Sequence, residues 1–446
     1  MWQMRAVVFA AALILVPLGA RGADLVVWWD EGYYPAETKA ATDVVAAFEQ
    51  HSGKQVELVL VPPEDMPGKI EAALASGKPP DFAFGILLPE RLGPWAFDDR
   101  LADLSDAIGS FSNMFDPELL RQAVRLNSRT GQKALYGLPF GQTSDYLHVW
   151  TSLLEQAGFT LEDIPRQWDA FWSFWCDRVQ PAVREATGRD DIWAIGLPMG
   201  PAIDASTQFL EFVTAYDADY VTRGGELVID DPEIRRRLIQ VVNNYAAIYR
   251  DGCTPPDSLS WDNYGNNAAF LEQRVVMTLN STLSIPNALK RERPDDYDKN
   301  TATIDWPLGV TGEPFPIVSV INPAMVFKDG GNLATAKEFV RFLVGEGWLA
   351  HYLNFSDERL LPAMPGLLDE PFWLDPRDKH RMAAAMQMAS HGPMYNYAAV
   401  SGNSRHDMIM QEAVWIRGVQ RVLTDGISPE RAVDEAIARI KQVLAE

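Results

Sequence analysis

Cysteine is scarce in this 446-residue chain: only Cys176 and Cys253 occur. Neither follows the apolar N-terminal run, which excludes a lipid-modified cysteine anchor there. No CxxC pair exists, and the six scattered histidines form no HExxH helix, so no metal-ligand spacing is present and no metal or other cofactor is expected. The GxSxG elbow and the phosphate-binding loop are also missing, which leaves acyl transfer and nucleotide hydrolysis without their signatures. Cationic side chains are outnumbered: 39 Lys plus Arg face 61 Asp plus Glu, for a formal charge of -22. Nucleic acid and anionic lipid are held mainly through cations, so both drop out as partners. Beyond the N-terminal run, nothing approaches the about 18 consecutive apolar residues of a membrane helix. Internal repeats and low-complexity tracts are absent.

What is there begins with a leader. Arg5 precedes an apolar run over 6–18, and Ala20-Arg21-Gly22 puts small residues where a signal peptidase reads, so 1–22 is expected to be a cleaved secretory signal. The mature chain is then a soluble monomer of the Gram-negative periplasm. Hydrophobic residues at 47% and 14 tryptophans supply large cores, and the length exceeds what one core organises. Two lobes are expected. In an oxidising compartment Cys176 and Cys253 can bridge or remain two buried thiols, and the sequence alone does not bring their Cβ atoms together.

Apolar residues 24–28 read as a buried strand, and Pro35 opens a helix whose Ala40, Ala41, Val44, Val45 and Phe48 recur at helical spacing until Gly53. A second strand at 54–62, a short helix over 65–76 and a third strand at 80–88 complete a βαβαβ unit, which means a parallel sheet covered on both faces. Later the texture is helical and rich in tryptophan. Trp168, Trp172 and Trp175 at helical spacing read as core. Gly345, Gly347 and Ala350 match a dinucleotide fingerprint but lie in a helical stretch rather than after a strand, so the match is chance. The chain closes on an amphipathic helix over 429–444 capped by Ser428.

In an open α/β sheet the ligand edge lies at the carboxyl ends of the strands. There the first strand ends in Trp29, Asp30, Glu31 and Tyr33, flat apolar faces beside hydrogen-bonding groups, which suits a neutral polyhydroxylated molecule. The turn at 85–88 should meet them. Three extended segments mix glycine, proline and small polar residues: 141–145, 280–284 and 319–323. Together they read as three crossings between lobes, bending as a cleft closes.

DLVVWWDEGYYPAE, AAFEQHSGKQVELV, KIEAALASGKPPDFAFG, YGLPF, TLEDIPRQWDAF, VVMTLNSTLSIP and SPERAVDEAIARIKQVL, in that order, resemble the family 1 extracellular solute-binding proteins. These are the maltose-binding-like receptors of carbohydrate ATP-binding-cassette importers. The resemblance implies an α/β two-lobe periplasmic binding protein fold of type II with three interlobe crossovers. It implies lobes of 23–142 plus 277–320 and 143–276 plus 321–446, a sugar, small oligosaccharide or polyol as ligand, and delivery to a membrane permease. Carried over, ligand contacts fall on Trp29, Asp30, Glu31 and Tyr33, on Gln142, Thr143 and Asp145 at the first crossing, and on Asn280, Ser281 and Thr282 at the second. Leu283 and Gly85 stand where some members have aromatic residues, so the platforms are expected from the first-strand cluster or from Tyr395 and Tyr397, whose segment also offers Asn403, with Trp261 as a further candidate. Two other readings remain. One is a secreted carbohydrate-active enzyme using Asp30, Glu31 or Asp145; the other keeps the fold but takes a non-sugar solute. The named cleft segments carry no Arg or Lys, which argues against an anion.

Overall fold

The computed structural model describes residues 22–32, 34–356 and 359–446. The expected leader, except Gly22, and Tyr33 lie outside them. The first strands form as the apolar runs require: β1 (Leu25–Asp30), β2 (Val56–Val61) and β3 (Phe82–Phe84). Then follow a small hairpin of β4 (Val124–Leu126) with β5 (Lys133–Leu135), β6 (Leu138–Ser144) and β7 (Tyr146–Trp150). Next come β8 (Trp193–Gly196), β9 (Val275–Asn280), β10 (Thr301–Ile304) and β11 (Ser319–Val326).

Two sheets organise two lobes. The first has the order β2-β1-β3-β11-β6, with β1 parallel to β2 and β3, and β11 antiparallel to its neighbours. The second has the order β10-β7-β9-β8. Helix Pro35–Ser52 covers the first sheet and ends at Gly53, whose φ of 68° a side chain would strain. Helix Pro429–Ala445 starts where Ser428 accepts from the Arg431 amide. Trp168, Trp172 and Trp175 are core in the second lobe, as their spacing predicts.

The lobe boundaries differ from those expected in the middle of the chain. One apolar core gathers residues from 25 to 146 and again from 321 to 388, whereas the other gathers 147 to 318 and 394 to 443, with Leu283 as the exception. Residues 277–320 therefore belong mainly to the second lobe. The physical reason is burial: β9 is buried along its whole length between β7 and β8, while β11 fills the gap between β3 and β6. Assigning either strand to the other lobe would open its core.

The crossings move accordingly. The first is Asp145, between β6 and β7; the second is Val318, just before β11; the third is at 392–394. They run side by side. Ser144 pairs with Ser319, the Ile317 amide donates to the Gly392 carbonyl at 3.1 Å, and the Met394 amide to the Ile317 carbonyl at 2.8 Å. The segment expected to cross at 280–284 instead turns from β9 into helix Ser284–Glu292, with Leu283 buried in the opposite core. It touches both lobes without changing lobe. Gly345 and Gly347 lie at a helix-to-helix turn, which confirms the absence of a strand before them. Cys176 and Cys253 are joined as a disulfide within the second lobe. Among the described residues no helix is long and apolar enough to cross a membrane.

Candidate ligand-binding cleft

A cavity of about 220 Å³ lies between the lobes and takes its walls from both. The first-lobe wall starts where β3 runs out of apolar residues. There the Asp30 carboxylate, at the end of β1, accepts from the Ile86 amide at 2.7 Å, and the turn presents Ile86 and Leu87 to the cavity. Gly85 makes this possible: a Cβ on it would lie 2.6 Å from Asp30 Oδ1. Thr143 of β6 and Asn322 of β11 reach the same wall from adjacent strands, joined by Arg359.

The second-lobe wall is made of polar turns. Asp204 and Thr207 come from the first turns of helix Ile203–Ala215, where the Asn263 side chain accepts from the Asp204 amide at 3.2 Å. After β9, Asn280 Nδ2 donates to the Thr282 carbonyl at 2.7 Å, which shapes the turn that presents Ser281 and Thr282. Tyr395 lies at the third crossing; its hydroxyl donates to the Val221 carbonyl at 2.7 Å, and Arg223 stands 4.8 Å from its ring. Besides Arg125 Nε and Asp407 Oδ2, which face each other as an ion pair, three buried or half-buried polar atoms on the cavity wall lack a hydrogen-bond partner among the described residues: Asn322 Nδ2, Asn267 Oδ1 and His406 Nδ1. Such atoms cost about 1 to 3 kcal/mol each when buried unpaired. They are places for a ligand hydroxyl or a water.

The charges are unusual for a neutral-looking cleft. Arg359 stands 3.3 Å from Glu37, and Arg125 stands 3.4 Å from Asp407, so each guanidinium on the wall faces a carboxylate. Burial pushes Asp204 up to about 7, although Arg359 opposes the shift. Asp30 is likewise raised to about 7 by burial, opposed by the Ile86 amide. Behind the wall, Ser281 Oγ donates to Asp145 at 2.5 Å, and Glu211 accepts from the Val318 amide at 2.9 Å. Both acids are buried and both are pushed up, first by burial and then by neighbouring negative charge. Burial favours the protonated form of each, which keeps the hinge region from carrying two buried charges.

The structure places the expected site residues unevenly. Thr143, Asn280, Ser281, Thr282 and Tyr395 line the cavity together. Trp29 does not: at 0% exposure it is enclosed by Phe84, Phe140 and Tyr352, with ring centroids 5.2 to 5.4 Å away. Strand alternation turned it inward, because Val27 and Trp29 share the core face of β1. Asp30 is a brace for the Ile86 turn rather than a wall residue. Asp145 is similarly one layer back, holding Ser281. Gln142 clamps the chain instead, its side chain donating to the Pro362 carbonyl at 2.8 Å. Asn403 is corrected too: its amide donates to the Leu444 carbonyl at 3.1 Å and ties down the final helix. Glu31 lines a shallower hollow that adjoins the cavity and shares Tyr264, Asn267 and Arg359 with it.

Several wall residues escaped the sequence reading. Asn322 lay inside a segment already read as a crossing, and Tyr264 and Asn267 lay in an asparagine-rich turn; both carried a usable signal. Arg125, Arg359, His406 and Asp407 carried none, and the two arginines overturn the argument that the cleft lacks cations.

Comparison with known proteins agrees with this architecture. The solved structure of maltose-bound MalE3 from T. maritima superposes with a TM-score of 0.71 at 17% identity, covering 94% of this chain and 99% of the other. A solute-binding protein of an ABC transporter from Thermotoga lettingae, bound with α-D-tagatose, gives 0.70 at 18% identity over 94% and 99%. These likenesses establish the two-lobe fold. The lactose-binding protein of Rhizobium radiobacter is 31% identical over 167 residues, 36% of this chain and 37% of that relative's own length. A family model described as bacterial extracellular solute-binding protein matches residues 43–381, across both lobes and all but the last crossing. With most of its length matched in this way, the chain belongs to the bacterial extracellular solute-binding proteins.

Proposed function

We propose that this protein captures a sugar, small oligosaccharide or polyol between its lobes in the periplasm and hands it unaltered to the permease of an ATP-binding-cassette importer. The observation that carries the reading is the two-sided wall: hydroxyl-bearing and amide side chains from both lobes converge on one cavity, with unpaired donors and acceptors among them. A hydroxylated ring satisfies such a mixed set, because each hydroxyl both donates and accepts. Contacts with both lobes favour the closed state over the open one and so drive closure. The lactose-binding relative and the maltose- and tagatose-bound structures support a sugar over other solutes. The leader supports export, after which a monomer would act alone.

The enzymatic alternative loses its acids. Asp30 and Asp145 serve as braces for Ile86 and Ser281, and Glu31 lies in the adjoining hollow. The test is a thermal-shift and calorimetric screen of sugars and polyols, followed by recovery of the ligand. A ligand at about one hundred times its Kd should add about 2.7 kcal/mol of stability, and it should come back chemically unchanged. A chemically altered product, or no shift with any sugar or polyol, would sink the reading.

A further inference from the structure

Two carboxylates line one end of the cavity, one from each lobe. Glu90 belongs to the short turn Pro89–Arg91 of the first lobe, and Asp407 belongs to helix His406–Gln411 of the second; both line the cavity. The two elements are in direct contact. Gln411 Nε2 donates to the Glu90 carbonyl at 3.0 Å, and Gly93 lies so near the Asp407 carboxylate that no Cβ fits between them.

Among the described residues only one guanidinium is ion-paired with either carboxylate. Arg125 Nε stands 3.4 Å from Asp407, and Arg125 Nη1 donates to the carbonyls of Gln122 and Val124. Arg91, next to Glu90, pairs with Glu71 at 3.7 Å and attracts the Glu90 carboxylate more weakly than Asp407 repels it. Among the described residues no side chain donates a hydrogen bond to the Glu90 carboxylate. Beside Asp407, His406 is 6% exposed, and its Nδ1 has no partner. Burial pushes the His406 imidazole down to about 4, so the ring is neutral and can offer a lone pair. Burial, and then the charge of Asp407, push Glu90 up to about 7.

We propose that this end of the cleft is a subsite for a protonated amine, so that the ligand is an amino sugar or a small oligosaccharide containing one. The proposal rests on the sugar-capture reading and narrows it. In this arrangement two carboxylates share one ion-paired guanidinium. A neutral sugar leaves that imbalance in place, and Glu90 must take up a proton for the lobes to meet. An ammonium group restores the balance and carries three donors, which match Glu90, Asp407 and His406 Nδ1. Because these groups come from opposite lobes, the amine rewards closure itself rather than binding to either lobe alone.

The test is calorimetric titration at neutral pH of the wild type and Glu90→Gln with matched probes. These are glucosamine and galactosamine with their dimers, the N-acetylated and plain hydroxyl counterparts, and cyclohexylamine as an amine without hydroxyls. Amino sugars should bind the wild type about tenfold or more tightly than their neutral counterparts, and Glu90→Gln should erase that ratio. A thermal transition as cooperative as that of the wild type shows the variant to be folded. Titration of neutral sugars in buffers of different ionisation enthalpy should reveal proton uptake in the wild type alone. Equal affinity for amino and neutral sugars, or an unchanged preference in Glu90→Gln, overturns the subsite and leaves sugar capture standing. Binding of cyclohexylamine alone, lost in Glu90→Gln, upholds the subsite and overturns sugar capture; binding of no probe counts against both.

Discussion

The two lobes reach the same cavity by opposite means. In the first lobe the wall is the edge of the core itself: Trp29 in the aromatic cluster is followed directly by Asp30, whose carboxylate fixes the Ile86 turn. In the second lobe the polar part of the wall stands on turns and helix starts, backed by Leu210, Tyr220 and Tyr397 of the core, while the core tryptophans and the Cys176–Cys253 bridge contribute no wall residue. The lesson is one of separability. Damage to the first-lobe core should reach the site at once, whereas the second lobe can lose stability while its wall residues keep their local geometry.

Two substitutions test that contrast, the stronger first. Trp29→Ala removes the centre of a cluster that includes Phe84, Phe140 and Tyr352. It should cost up to about 5 kcal/mol and abolish ligand binding through loss of the first lobe. Calorimetry should show one thermal transition lowered and the other unmoved; a folded variant with weakened binding would instead make Trp29 a ligand platform. Removing the bridge with Cys176→Ala and Cys253→Ala opens a loop whose ends are 77 residues apart, which chain entropy values at about 4 kcal/mol. That loss should fall on the second-lobe transition. Below the lowered transition, affinity should stay within about threefold of the wild type; a larger drop would show that the bridge positions the wall.

The same contrast explains what could be read without coordinates. The βαβαβ unit of the first lobe was legible because short buried apolar runs and period-3.6 helical patterns alternate cleanly up to Phe84. Asn280, Ser281 and Thr282 were legible because small polar residues interrupt an apolar strand. What failed depended on strand neighbours. Nothing local distinguishes β9 from β11 as a member of one sheet or the other, since both are apolar runs buried on both faces and only their partners decide. Trp29 was misplaced by one step of alternation, which turns every side chain to the opposite face. Arg125, Glu90 and Asp407 meet only when the lobes come together, and no spacing along the chain encodes that meeting.

The smallest expected effect probes the joint between core and wall. Asp30 is buried and its carboxyl is raised to about 7, against about 3.9 for an unfolded aspartate. Between those values the folded chain holds a proton that the unfolded chain has released, so stability falls as pH rises through this window and the loss is complete above the folded value. Asp30→Asn keeps an oxygen to accept from the Ile86 amide but carries no charge. It should leave stability unchanged near pH 4 and add about 2 kcal/mol above pH 7, flattening the first-lobe transition only. The slope of the second lobe, where Glu211 is also held above the usual carboxylate range by burial, should remain. If both slopes survive the substitution, Asp30 is ionised in the folded protein, and Arg359 rather than a proton balances it.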